Sequence, residues 1–196
     1  MKQKIHINSF YYGSSVLLIS TEDKETGEIN LAPVSSSFAL GTKLIVGIVK
    51  GSKTYHNLRS GSDASVSLPD GPLWDNVERL GKLTGNDTLS DNQRHWGVMV
   101  CTDKFAAVGL HPEPAESITP PGVSECPIRA ECRLLRLDDR ERFALAEFDI
   151  IHTWVTPHLA GTDGQLKSSD WHPLIYVFRE YATTGQRLGM NFKHGH

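Results

Sequence analysis

The chain contains no Gly-x-Gly-x-x-Gly, no Gly-x-x-x-x-Gly-Lys-Ser/Thr, no Gly-x-Ser-x-Gly and no His-Glu-x-x-His. Those absences argue against a Rossmann dehydrogenase, a nucleotide triphosphatase and a serine hydrolase. It also lacks any apolar run of about 18 residues. The runs at 16–19 and 44–49 are strand-sized, so no membrane span is expected. Cysteine is scarce: Cys101, Cys126 and Cys132 form an odd set with no disulfide framework, which fits a reducing compartment. Cys126 and Cys132 are expected on the same side of one strand. Residues 1–6 carry no apolar stretch of a signal peptide, and a cytoplasmic location is expected. Charge of one sign is missing as well. Lys and Arg number 20 against 23 Asp and Glu, and a net charge of −3 argues against a nucleic-acid surface. The nine histidines are scattered; His152 and His158, six apart, match no metal-site spacing, so no metal is expected.

What is present reads as many short strands. With 196 residues, a single domain over 1–196 is expected, and a chain this long buries roughly 70% of its unfolded surface. Residues 14–21 read as a strand and 22–28 as a charged hairpin loop. Residues 29–40 form a second strand interrupted at Pro33, 41–42 a turn, and 43–50 a buried strand. Ser52 can cap a helix running to Arg59, and 64–68 alternates as a strand. Leu73, Val77 and Leu80 share a helix face that ends at Gly81. Residues 83–95 carry no clear signal, 96–101 suit either strand or helix, and 103–107 suits a short helix. Residues 111–122 hold four prolines and are expected to be irregular. Residues 128–134 alternate apolar with Arg129, Glu131 and Arg133, predicting a half-exposed strand. A long strand over 142–155, a polar loop and a closing strand at 174–178 follow. The expected fold is mainly β, an antiparallel β-barrel with helical decoration.

Two segments carry candidate chemistry. Pro33 within a strand marks an edge or a bulge, where free backbone groups can hydrogen-bond a planar heterocycle. Ser35, Ser36 and Ser37 beside it offer hydroxyls. Residues 52–54 open a helix with Ser, Lys and Thr, which suits a phosphate and equally suits an ordinary N-cap with a solvated lysine. If the strand between them folds back, the two segments meet. Together they suit a ligand with one phosphate and a polar tail, such as flavin mononucleotide (FMN).

The run Asn30-Leu31-Ala32-Pro33-Val34-Ser35-Ser36-Ser37-Phe38 resembles the N-x-A-P-x-S-x-F strand of the flavin reductase-like proteins. Lys53 to Leu58 is similar to that family's K/D-T-x-x-N-I/L helix start. Asp103 to Leu110 resembles its D-K-F-x-x-x-G-L segment, and Pro120 to Cys132 its P-x-V-x-E-x-P-x-x-x-E-C strand. The resemblance implies an FMN-binding split β-barrel, a homodimer with the flavin near the interface. It implies that Asn30, Leu31, Ala32, Pro33, Ser35 and Ser36 line the ring and ribityl chain. Lys53, Thr54 and Asn57 would sit at the phosphate end, with Lys104 and Phe105 close to the flavin. His152 or His172 is a candidate for contacting a nicotinamide, and each equally suits a structural histidine. Residues 83–97 are longer and more polar than the family's minimal form, and 111–121 is unusually proline-rich.

Three functions are consistent with that resemblance. The first is an NADH- or NADPH-dependent flavin reductase. Hydride would pass between rings stacked at roughly 3–3.5 Å, with no side-chain acid or base required. The reduced flavin would serve a partner oxygenase or another electron acceptor. The second is a split-barrel flavoenzyme acting on a small organic substrate, with loops around Asn86 and Glu113 shaping the pocket. The third is a non-enzymatic FMN electron carrier.

Overall fold

The computed structural model describes residues 2–7, 9–162 and 164–191. In chain order the elements are β1 (Tyr12–Ser15), β2 (Leu17–Glu22), β3 (Ile29–Val34), β4 (Ser37–Leu40), β5 (Lys43–Val49) and α1 (Lys53–Arg59). Then come β6 (Ala64–Leu68), α2 (Trp74–Gly81), β7 (Leu83–Thr84), α3 (Asp91–His95), β8 (Met99–Val100) and α4 (Lys104–Val108). The chain continues with β9 (Pro112–Glu113), β10 (Gly122–Val123), β11 (Ile128–Asp139), β12 (Phe143–Val155), β13 (Ile175–Val177) and β14 (Glu180–Ala182).

The main sheet has the order β3-β2-β6-β11-β12-β5-β4, with antiparallel neighbours throughout. Its two outermost strands, β3 and β4, are consecutive in the chain and separated only by Ser35 and Ser36. The sheet therefore curls until one bent segment serves both edges, and the barrel closes at that corner. The closing bond runs from the Gly47 N–H to the Ser36 carbonyl, 2.7 Å. A Cβ on Gly47 would lie 3.1 Å from Ser36 Cβ, so the close approach favours glycine there. Pro33 lies on the open edge of β3, as its missing N–H requires, but the interruption falls two residues later than expected.

Alternation sorts the side chains into two layers. Leu17 and Ile19 of β2 enter the barrel with Leu44, Val46, Val66, Cys132 and Phe148. Leu18 and Val16 face outward and pack with Leu31, Val77, Leu80, Phe105 and Val108. β2 is thus covered on both faces, by the barrel and by α2 and α4, which explains its unbroken apolar run. The expected strand over 14–21 is split at Val16, whose N–H bonds Leu174 instead. α1 closes one end of the barrel with Tyr55 and Leu58. Cys132 lies in the inner core and Cys126 in the outer one, so the two do not share a face. Cys126 also precedes β11 rather than lying on it.

Arg129 and Glu131 are buried, against the half-exposed strand expected from alternation. The proline-rich segment 111–121 covers that side of β11. Glu131 accepts from the backbone N–H groups of Glu116 (2.7 Å) and Ser117 (2.8 Å). Arg129 bonds Glu113 at 3.0 Å and lies 4.0 Å over the Trp154 ring. A buried carboxylate that replaces lost water with two backbone donors and a guanidinium is stable where it is. Among the described residues no helix is long and apolar enough to cross a membrane.

Candidate functional site

Three of the sequence segments converge on β3. Asn30 stands directly opposite Thr21 in the β2–β3 register, and both side chains meet α1. Asn30 Nδ2 donates to Thr54 Oγ1 (3.0 Å), and Asn57 Nδ2 donates to Thr21 Oγ1 (3.1 Å). Ser52 caps α1 by accepting from the Tyr55 N–H, which fixes the helix start over these residues. All four side chains are buried. Thr54 and Asn57 therefore bind the helix to the barrel, and their side-chain hydrogen bonds point inward.

Asn30 keeps one group unspent. Its Oδ1 is buried without a hydrogen-bond partner. Gly85, just after β7, lies against it: a Cβ there would fall 2.9 Å from Asn30 Oδ1 and 3.0 Å from Lys53 Cγ. Gly85 and Lys53 share a cleft of about 600 Å³ with Gly51, His56, Asn86 and Ser90. Asn86 Nδ2 donates to the Gly51 carbonyl at 2.7 Å, tying the 85–90 segment to the approach of α1. Lys53 Nζ pairs with Asp23 Oδ2 at 2.5 Å. That hydrogen bond, helped by backbone N–H donors, holds the Asp23 carboxyl down at about 2.

Lys104 approaches β3 from the other side. Asp103 caps α4 by accepting from the Ala106 N–H, and Gly109 ends it at φ 71° in the left-handed region. The ammonium of Lys104 is buried and donates to the Leu31 carbonyl at 3.1 Å. Burial pushes it down to about 8, with Cys101 pulling weakly the other way. The bond blunts an otherwise open strand edge. Leu31 itself is fully enclosed and its carbonyl is taken by Lys104, so it does not line a ligand surface as the resemblance implied. Phe105 packs in the outer core and lines a separate cleft with Ile29, Leu110 and Pro112.

Ala32, Pro33, Ser35 and Ser36 continue the edge, each half-buried. Ser36 Oγ shares a hydrogen with the Tyr11 hydroxyl at 2.5 Å. His152 and His172 stand apart from this group. His152 is exposed on β12, its ring 5.4 Å from that of Trp154. His172 is exposed, and its carbonyl accepts from the Gly71 N–H. Sequence reasoning did not single out Gly85, Asp23, Thr21 or Tyr11. Residues 83–95 carried no clear signal, and a glycine followed by Asn86 and Asp87 suits a turn without indicating contact with Asn30.

The cleft beside α1 fits a flavin phosphate ester through Lys53, a cation with one acidic partner. Asn30 Oδ1 is an acceptor buried behind Gly85, so it can meet only a group that donates.

The protein YdfE of Bacillus subtilis (strain 168), itself uncharacterized, is 34% identical over 186 residues, spanning 93% of this chain and 89% of that protein. Flavoredoxin of Desulfovibrio vulgaris (Miyazaki F) superposes with a TM-score of 0.82 at 22% identity, covering 100% of both chains. Nitrilotriacetate monooxygenase component B from Bacillus cereus gives 0.75 at 19% identity over 91% of this chain and 88% of that one. The split barrel is therefore a fold these proteins share. The flavin reductase like domain model matches residues 9–185, which take in every strand and helix from β1 to β14, and the chain belongs to that family.

Proposed function

We propose that this protein binds FMN in the cleft beside β3 and α1 and works as an NAD(P)H-dependent flavin reductase. Family membership already gives the chain a flavin-related role. The observation that carries the finer reading is the convergence on β3. Asn30 with its unpaired Oδ1, Lys53 and Lys104 all approach one strand edge. The flavin, when bound, supplies hydride acceptance and electron release, chemistry that protein side chains do not perform.

The residues then have these tasks. Lys53 meets the phosphate, and Thr54 and Asn57 keep the start of α1 in place behind it. The backbone of Ala32 and Pro33 and the hydroxyls of Ser35 and Ser36 hold the ribityl chain and the ring edge. Lys104 places a buried positive charge beneath Leu31, where it favours negative charge developing nearby. Phe105 anchors α4, and with it Lys104, in the outer core. His152 and His172 remain candidates for the nicotinamide only if a second subunit brings them to the edge.

A second subunit is part of the reading. Val49 and Phe143 are paired across β5 and β12 and exposed, with Phe38 on the neighbouring β4. These residues border a shallow groove with Ile45, Gly47 and Leu145. An uncovered apolar sheet face of this kind suits a two-fold homodimer. The reduced flavin would pass to a partner oxygenase or another acceptor in the cytoplasm.

The test is the visible absorption spectrum of the protein loaded with FMN, followed by anaerobic NADH or NADPH. Bleaching of the bound-flavin bands and steady-state turnover support the reductase. A yellow protein inert to both nicotinamides points to an electron carrier. A protein that neither retains FMN nor gains thermal stability from it refutes the reading.

A further inference from the structure

α1 closes one end of the barrel, but the other end holds a cavity of about 300 Å³. Leu17, Leu44, Val66, Ala130 and Ile150 form its apolar wall, and Trp171 lines it as well. Ser15, Ser37 and Thr153 also belong to the lining. None of the lining residues is charged. The two clefts flanking β3 differ in this respect, carrying Lys53 and Asp87 in one and Glu28 and Asp103 in the other.

Size and chemistry narrow the occupant. An apolar cavity of about 150 Å³ already accommodates benzene, so a six-membered ring with one substituent fits here. A charged group would lose its hydration without a counter-charge in the wall. A single polar group has partners. Ser15, Ser37 and Thr153 carry the hydroxyls, whereas the indole Nε1 of Trp171 is buried against the Asp70 carboxyl. A hydroxyl both accepts and donates, which is what such surroundings require.

We propose that the open end of the barrel is a binding site for a small uncharged ring compound bearing one hydroxyl group, with Trp171 as its wall. The site is separate from the flavin cleft, although Ser37 and Phe38 of its lining follow directly on the Ser35–Ser36 corner. The inference does not depend on the flavin reading.

The test uses benzyl alcohol as probe and benzoate as its charged counterpart. The readout is the Trp171 indole N–H resonance of the full chain, assigned by its loss in Trp171→Phe. Benzyl alcohol is expected to shift it saturably, with a dissociation constant of about 1 mM. Benzoate is expected to leave it in place. Ala130→Leu fills the cavity and is expected to weaken the probe about tenfold or more. FMN binding, measured in the same samples, is expected to stay unchanged. Should Ala130→Leu fail to fold, Ala39→Leu fills the same space from β4. The proposal is overturned if the shift does not saturate, if benzoate binds as well as the alcohol, or if the filled variant binds the probe at wild-type strength. Loss of FMN binding in the wild type would bear only on the reductase reading.

Discussion

Replacing Lys104 by Met should stabilise the free protein while weakening its hold on FMN. The fall of the ammonium from an ordinary 10.5 to about 8 comes first from burial. At about 1.4 kcal/mol per pH unit, keeping the charge inside costs about 3 kcal/mol. Met fills a similar volume without charge, so that cost disappears. The variant loses the 3.1 Å bond to the Leu31 carbonyl, and an orphaned carbonyl costs about 1–3 kcal/mol. The net change at neutral pH is therefore between about zero and 2 kcal/mol in favour of the variant. The pH dependence is the sharper signature. Between about 8 and 10.5 the unfolded chain keeps the proton that the folded protein has released. The unfolded state then binds more protons, and wild-type stability rises with pH. By about pH 9.5 the gain over neutral pH is about 2 kcal/mol, and Lys104→Met lacks it. Urea unfolding of both proteins across this range measures the difference, in which other titrating groups cancel. A difference that stays flat from neutral pH to about 10 would mean that the ammonium is solvated, and the buried charge proposed to assist the flavin would not exist.

Other expectations follow from single contacts. Gly85→Ala places a methyl 2.9 Å from Asn30 Oδ1 and 3.0 Å from Lys53 Cγ, so Asn30 or the 85–90 segment must shift, at a cost of about 1–3 kcal/mol in stability, and FMN should bind about tenfold or more weakly to the folded variant. Fluorescence quenching of added FMN measures this, and unchanged affinity would remove the cleft from the flavin site. Glu131→Gln takes a charge from two backbone donors and from Arg129, and should cost about 3 kcal/mol in urea unfolding. It should also open segment 111–121 to limited proteolysis; an unaltered cleavage pattern would show that the carboxylate does not hold the loop. Val49→Glu combined with Phe143→Glu puts like charges on paired positions of the exposed β5–β12 face and should yield a monomer by light scattering. A wild-type monomer at the same concentration would remove the dimer from the proposal.

How much of this was legible in the sequence depends on whether a signal was local. Pro33 declared an edge strand because a missing N–H is a property of one residue. Ser52 declared the start of α1 and Asp103 that of α4 for the same reason: a cap acts within three residues. β7 and β8, two residues each, are too short to leave a period, and their parallel pairing joins segments that 83–101 does not connect by pattern. The corner at Ser35–Ser36 was displaced from its expected place because Gly47, on another strand, decides where the segment can bend. Arg129 and Glu131 misled for a related reason. Alternation assigns polar residues to solvent, and it holds only while nothing covers that face. The covering segment is the proline-rich stretch that has no pattern of its own, and its hold on Glu131 runs through backbone N–H groups, which every residue type but proline carries. The same limit governs the site. Asn30 and Thr54 were named from their positions, yet a motif states residue types and not who bonds whom. Their mutual hydrogen bond leaves Nδ2 spent and Oδ1 unpaired, and that asymmetry selects which end of the amide faces a ligand. A ligand that meets Asn30 must therefore bring a donor, and exchanging Asn30 for Asp, which accepts at both oxygens, would lose the bond to Thr54 unless that hydroxyl turns to donate.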